Sequence, residues 1–518
     1  MRRKYYNGKV YLGEGRFGTE FAVEGEKFVS PQGAFDELVD LEGQLVLPGF
    51  NDSHLHLVQM SQNRHHVQLA QARSIEEVIR SSREHLAAHR PQALYGRGWN
   101  HDYFPSGQRR LLNRHDLDQI STEIPVILER VCGHVLATNS RALELLAVQE
   151  DTVVPGGEIR REGGVATGIF TENAVAFAKS ILPQDSREEL KGKILEGMEE
   201  LLSWGITSVQ SCDIYEDNYS FIRPLLEELY GEGRSLPRYH PQVNFQTPEG
   251  FLKYWDQYLK EHPPKNLPAG SLKIFKDGSL GARTAQLRED YGDDPGNRGV
   301  SALSPQLLHQ LFALAQERRV PVLTHAIGDG AVASVMEAIV HFDPENSLGH
   351  GIVHCQITGA DQLRAIAEHA ILTLTQPVFL DYDITIVEER VGRELAKTSY
   401  AFKSLNHAPG HLESFGTDAP VEEVNPFANL YHAITRKRKD GSPKRGFHPQ
   451  EALSLPEALD IYTLGGARVQ GQEGQKGRIA PGQWADFLVL GEDIFQQPPE
   501  VLLRTRPREV YLGGERVF

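Results

Sequence analysis

Cysteine is scarce: three residues in a chain of 518, at Cys132, Cys212 and Cys355, in no paired spacing. That excludes a disulfide framework and a cysteine-rich zinc knuckle, and it suits a reducing compartment. No apolar run approaches the roughly 20 residues that a helix needs to cross a bilayer. Met1-Arg2-Arg3-Lys4 leads into Tyr5-Tyr6-Asn7-Gly8 rather than into the apolar core of a secretory leader, so a cytoplasmic location and no membrane partner are expected. Positive charge is also in deficit, 54 Lys and Arg against 70 Asp and Glu, for a net charge of −16. Phosphate backbones are gripped by clustered Lys and Arg, so nucleic acid is not an expected partner. The one dense basic run, Arg436-Lys437-Arg438-Lys439, reads as a solvated helix end. Gly328-Asp329-Gly330 lacks the Lys-Ser or Lys-Thr that a phosphate loop needs.

Domains rarely exceed about 250 to 300 residues, so 518 residues imply one large barrel with appended or inserted pieces. Short strand-like segments with Gly turns occur at both ends, Lys9-Val10-Tyr11-Leu12 and Glu26-Lys27-Phe28-Val29 near the start, Phe487-Leu488-Val489-Leu490 and Glu509-Val510-Tyr511-Leu512 near the finish. They predict a composite β-sandwich built from residues 1–45 and 476–518. Residues 60–195 are irregular, with helical spacing at 75–86 and 190–202, and are expected to be an α/β insertion after the first barrel strand. Elsewhere within 46–475, strand-like and helical runs alternate, as in a (β/α) architecture. Eight strands are predicted, at 46–50, 206–211, 238–244, 271–276, 320–324, 351–354, 371–374 and 412–416. The expected class is α/β, a (β/α)8 TIM-like barrel with the sandwich and the insertion.

The stretch Leu45-Val46-Leu47-Pro48-Gly49-Phe50-Asn51-Asp52-Ser53-His54-Leu55-His56 runs from a buried strand into two histidines. Residues two apart on an extended backbone point the same way, so both imidazoles can face one point. A parallel barrel keeps its active site at the C-terminal ends of its strands. Other strands end in His325, His354 and Asp418, and neutral imidazoles with a carboxylate suit zinc or a similar divalent ion. Lys273 lies between Leu272 and Ile274, where an ammonium is costly unless paired or neutralised. Pairing with Asp418 is one solution.

These segments, with Asp277-Gly278-Ser279-Leu280-Gly281, Thr324-His325-Ala326-Ile327-Gly328-Asp329, Gly416-Thr417-Asp418-Ala419-Pro420 and Gly482-Gln483-Trp484-Ala485-Asp486, resemble the amidohydrolase superfamily. The branch is that of N-substituted formamide deformylases and proteins labelled exoenzyme regulatory proteins, family 3 of the amidohydrolases. The insertion elements Gly98-Trp99, Cys132-Gly133-His134 and Gly156-Gly157 agree. The resemblance implies one or two divalent metals, zinc foremost. His54, His56, Asp418 and Lys273 would hold the more buried ion, with carbon dioxide on Lys273 as a bridging carbamate. His325 and His354 would hold the second.

It further implies a metal-dependent hydrolase that cleaves a non-peptide C–N bond of a small-molecule amide, formamide or cyclic amide. A metal-activated hydroxide attacks, and Asp418 is the proton shuttle. Two alternatives stand beside it. A heterocycle deaminase would use a mononuclear site with His354 turned to the substrate, and a non-catalytic regulator would bind a small ligand on the same fold. Trp99, His134 and Asp277 are candidate substrate contacts, each with packing or loop support as the competing role. A homodimer is the assembly left open.

Overall fold

The computed structural model describes residues 1–131, 135–154 and 156–518. The chain divides into two compact units, Met1–Met60 with Ile194–Phe518, and Ser61–Lys193.

The first unit contains the barrel. Its eight parallel strands run in chain order: β1 (Phe50–Leu55), β2 (Ile206–Tyr215), β3 (Arg238–Asn244), β4 (Ser271–Phe275), β5 (Val322–Ala326), β6 (Gly351–His354), β7 (Leu372–Thr375) and β8 (Glu413–Phe415). Each pairs in parallel with the next, and β2 also pairs with β1. Strands of this kind are buried on both faces, which is why β2, β4 and β6 read as nearly continuous apolar or small runs.

The seam between β8 and β1 is finished just beyond the β8 strand. The Asp418 N–H donates to the His54 carbonyl at 2.8 Å and the His56 N–H to the Ala419 carbonyl at 2.8 Å. The buried Asp52 carboxylate also spans the seam, accepting from the Thr417 N–H at 3.0 Å and from the Tyr462 hydroxyl at 2.9 Å. Gly416 permits this approach, because a Cβ there would lie 2.7 Å from the His54 nitrogen. The residue that holds the carboxylate of Asp418 is therefore backed directly onto the strand that carries both histidines.

The predicted first strand, 46–50, is corrected. Leu45–Pro48 is a strand of the sandwich, and the barrel strand begins at Phe50. Pro48 cannot donate a ladder hydrogen bond, and at Gly49 the backbone passes so close to β2 that a Cβ would sit 2.1 Å from the Thr207 hydroxyl. The chain changes sheet at this pair.

The sandwich has a four-stranded sheet (Lys27–Val29, Phe21–Glu24, Arg2–Tyr6, Glu37–Asp40) and a six-stranded one. The latter contains Glu515–Arg516, Pro507–Leu512, Phe487–Leu490, Leu45–Pro48, Lys9–Gly13 and Arg16–Gly18. Tyr5, Phe21, Phe28, Val46, Phe487 and Val489 form its core, with Tyr5 stacked on Phe21 at 4.7 Å between ring centroids. Both chain ends thus share one apolar interior.

The second unit has a six-stranded mixed sheet ordered Gly157–Glu162, Val165–Glu172, Val135–Thr138, Val126–Arg130, Leu94–Trp99 and Val67–Gln68. The helix Ile75–His89 starts on Ser74, whose hydroxyl accepts from the Glu77 N–H at 3.2 Å.

Arg436-Lys437-Arg438-Lys439 does follow a helix, Pro426–Thr435, but its first residue is not solvated. Arg436 is fully buried, donating to the Phe447 and Tyr400 carbonyls at 2.6 and 2.7 Å beside the Phe402 and Phe447 rings. Its partners lie 11 and 36 residues away in the chain, which charge density alone does not reveal. Among the described residues no helix is long and apolar enough to cross a membrane.

Candidate metal centre

His54 lies inside the last turn of pleat of β1, and His56 follows one residue beyond it. Their Nε2 atoms lie 3.5 and 3.3 Å from the same oxygen, Asp418 Oδ1. Among the described residues that oxygen has no hydrogen-bond partner. His54, His56 and Asp418 are a cluster whose ligand atoms lie within 4.8 Å of one another. From β6 and β5, the His354 ring stands 5.6 Å from that of His54 and 4.5 Å from that of His325, centroid to centroid. Four imidazoles from three strands therefore converge at the C-terminal end of the barrel.

Each ring is oriented from behind. His54 Nδ1 faces Gln242 Oε1 at 2.6 Å, and His354 Nδ1 faces Gln376 Oε1 at 2.7 Å. His56 Nδ1 meets the Cys212 carbonyl at 3.0 Å and the Tyr215 hydroxyl at 3.1 Å. These oxygens accept, so in the neutral rings of His54 and His354 the proton sits on Nδ1 and Nε2 keeps its lone pair, whereas His56 frees its Nε2 only on losing the second proton, the one that faces Asp418. His325 is reversed: its Nε2 faces the Gly278 carbonyl at 3.1 Å, which leaves Nδ1 as the free donor atom.

The electrostatics follow from burial around one carboxylate. Burial, helped by Lys273 and the neighbouring rings, holds His54 and His354 well below the usual imidazole range and His325 at about 3. Burial opposes charge on His56 as well, but its contacts with Asp418 and the Cys212 carbonyl lift it to about 10. One carboxylate compensates one imidazolium, and its nearer neighbour takes that share.

Lys273, in the middle of β4, is fully buried, and its Nζ has no hydrogen-bond partner among the described residues; it lies 3.8 Å from the Phe275 ring centroid. Burial pulls its pKa down to about 8. The direct pairing with Asp418 that the sequence allowed is not made.

His354, Cys355 and Asp418 have φ of 79°, 47° and 55°. Left-handed backbone is uncommon for residues with a side chain, and such strain gathers at functional sites.

The remaining candidates separate. Asp277 organises a loop: its carboxylate accepts from the N–H groups of Ile327, Gly328 and Gln286 at 3.0, 2.8 and 2.9 Å and its side chain is wholly buried. It ties the loop after β4 to the end of β5, behind His325. Trp99 has packing partners of its own. It is buried in the core of the second unit, with its indole N–H on the Leu128 carbonyl at 3.0 Å. A large ring at the end of a strand reads equally as pocket wall or as core, and here it fills a core. His134, with Cys132 and Gly133, lies outside the described residues.

Asp52, Tyr215, Gln242 and Gln376 escaped the sequence reading of site roles. The available signal was positional: Tyr215 ends β2, Gln376 follows β7 and Gln242 lies two residues before the end of β3, on strands that offer no histidine or carboxylate to the cluster.

Comparisons with known proteins agree with this geometry. Residues 37–518 match the amidohydrolase family. YtcJ of Bacillus subtilis (strain 168), whose name places it among amidohydrolases, is 31% identical over 95% of this chain and 92% of its own. The N-substituted formamide deformylase of Arthrobacter pascens is 24% identical over 96% of this chain and 92% of its own. Among solved structures, a metal-dependent hydrolase from Pyrococcus furiosus superposes with a TM-score of 0.76 at 28% identity, covering 96% of this chain and all of that one. With eight barrel strands, a histidine-rich mouth and a match over nearly its whole length, the chain belongs to the amidohydrolase family and is a hydrolase acting on carbon–nitrogen bonds.

Proposed function

We propose that the chain hydrolyses a non-peptide C–N bond in a small amide, formamide or cyclic amide, with Asp418 as the proton shuttle. The observation that carries this is the approach of two histidine Nε2 atoms to one unpartnered carboxylate oxygen, next to a buried amine that also lacks a partner. Orphaned buried polar atoms are costly; a cation would give the Asp418 oxygen and the two Nε2 atoms a shared partner, and Lys273 would join them only after losing its positive charge, as it does on becoming a carbamate. The donor set therefore fits a metal centre.

His54, His56, Asp418 and Lys273 would hold one ion, and His325 and His354 a second, with Lys273 carrying carbon dioxide as a carbamate. Imidazole nitrogens and carboxylate oxygens suit zinc. A divalent ion there supplies Lewis-acid polarisation of the substrate carbonyl and lowers the pKa of coordinated water from about 15.7 to roughly 7.

The chain supplies the rest. Asp418, fixed by its backbone bond to His54, accepts the proton of the attacking water and delivers it to the departing nitrogen. Phe275 and Phe379, at 5.2 and 5.8 Å from the His325 and His354 rings, provide apolar walls. Low polarity strengthens the electrostatic pull on the reacting carbonyl. A formamide is the first substrate to assay, because a relative of almost full coverage bears the name N-substituted formamide deformylase.

The tightness of the His54, His56 and Asp418 cluster favours one alternative, a mononuclear deaminase. In that case the metal analysis gives one ion per chain rather than two. The test of the leading reading is a panel of N-formyl amines, hydantoins, N-acyl amino acids and amino-heterocycles, before and after chelation. Release of formate, acid or ring-opened product that is lost on chelation and restored by zinc supports it. Deamination alone, or ligand-induced melting shifts with no turnover of any member, overturns it.

A further inference from the structure

We propose that Gln242 and Gln376 are positioning residues that set the grip of His54 and His354 on their ions, each acting on a different one. The inference rests on the reading that those two histidines hold metal.

The two glutamines do the same job from opposite sides of the barrel. Gln242, on β3, donates its Nε2 to the Ser53 carbonyl at 2.9 Å, and its Oε1 faces His54 Nδ1 at 2.6 Å. Gln376, the residue after β7, donates its Nε2 to the Leu374 carbonyl at 3.0 Å, and its Oε1 faces His354 Nδ1 at 2.7 Å. Both side chains are buried, and neither amide has an unpartnered atom.

A glutamine amide alone could present either end to an imidazole. Here the backbone carbonyl takes the NH2, so only the oxygen is left for the ring. That fixes the Nδ1–H tautomer and aims the Nε2 lone pair into the site. β3 and β7 provide no ligand themselves, and these are the polar side chains with which they reach the metal centre.

The arrangement differs at the other two rings. His56 and His325 lean on the Cys212 and Gly278 carbonyls, which no side-chain substitution removes. His54 and His354 are held by replaceable groups, so the two ions can be addressed one at a time. Changing a group that orients a metal-ligating histidine costs about 10- to 100-fold in metal affinity.

The experiment uses the full chain with Gln242→Met, Gln242→Glu, Gln376→Met and Gln376→Glu. Zinc affinity is read by competition with a chelator of known strength, ions per chain by metal analysis, and the stability of the stripped protein by urea unfolding. Methionine keeps the length and removes both polar ends. Glutamate keeps an acceptor for the ring but sets a carboxylate oxygen against the backbone carbonyl.

The expected order of zinc affinity is wild type, then glutamate, then methionine, with each methionine variant weakened about 10- to 100-fold for one ion only. Stability of the stripped protein should fall in the other order, with the buried glutamate the worse. Affinities that track stability, or methionine variants that hold both ions as tightly as wild type, would overturn the proposal. A wild-type chain that binds no ion would instead bring down the functional reading on which it rests.

Discussion

Replacing Lys273 with methionine should make the metal-free protein more stable while destroying its activity. The ammonium is fully buried on β4 with no hydrogen-bond partner, and burial depresses its pKa from 10.5 to about 8. A depressed lysine means that the folded state binds fewer protons than the unfolded chain between those two values. Stability is therefore lost as pH falls through that window, and the full cost stands below about pH 8. The interval of about 2.5 pH units converts to about 3 kcal/mol. Methionine matches the stem in length and carries no charge, so at pH 7 Lys273→Met should gain about 3 kcal/mol, shrinking to about 1 kcal/mol at pH 10. The assay is urea unfolding of stripped protein in carbon-dioxide-free buffer, followed by tryptophan fluorescence, with turnover measured after zinc is returned. A variant less stable than wild type at pH 7, or an advantage that does not change with pH, would show that Lys273 is not a buried, unpaired ammonium.

Three further outcomes follow from the same geometry. Asp418→Asn should keep the fold and at least one ion while turnover falls by about 10²- to 10⁴-fold, checked by metal analysis and steady-state kinetics on one proven substrate. His350 accepts the Val322 N–H at 2.9 Å through Nδ1 and is held at about 4 by burial. Its folded form stays neutral while the unfolded chain protonates near 6.5. Stability is thus lost as pH falls from 6.5 towards 4, and His350→Gln should lessen the loss between pH 7.5 and 5 by about 2 kcal/mol in urea unfolding. Trp99→Phe strands the Leu128 carbonyl and should cost about 1 to 3 kcal/mol, with KM and kcat within about twofold of wild type, whereas a wall of the substrate pocket would raise KM.

The barrel was legible because parallel strands buried on both faces leave apolar runs: seven of the eight predicted strands overlap the observed ones over most of their length, and the first meets its strand only at Phe50. What the pattern missed was the change of sheet at Pro48-Gly49: Leu45 to Leu55 reads as one apolar stretch, and only the contact of Gly49 with Thr207 shows two strands in it. The ligand candidates were visible as histidines and an aspartate after strands. Gln242 and Gln376 were not, because a glutamine has no titration and no metal preference, and its value here comes from a backbone carbonyl that sets its orientation. Arg436 misled for the opposite reason: its neighbours announce a solvated charge run, whereas carbonyls far away in the sequence bury it.

The most direct measurement is anomalous diffraction at the zinc edge from crystals of protein loaded with zinc in the presence of bicarbonate. Two peaks are expected at the barrel mouth. One lies against His54, His56 and Asp418, the other against His325 and His354, with density for a carbamate on Lys273 between them. A single peak without the carbamate would contradict the dinuclear site, and no peak within reach of His54 and Asp418 would contradict the metal centre itself.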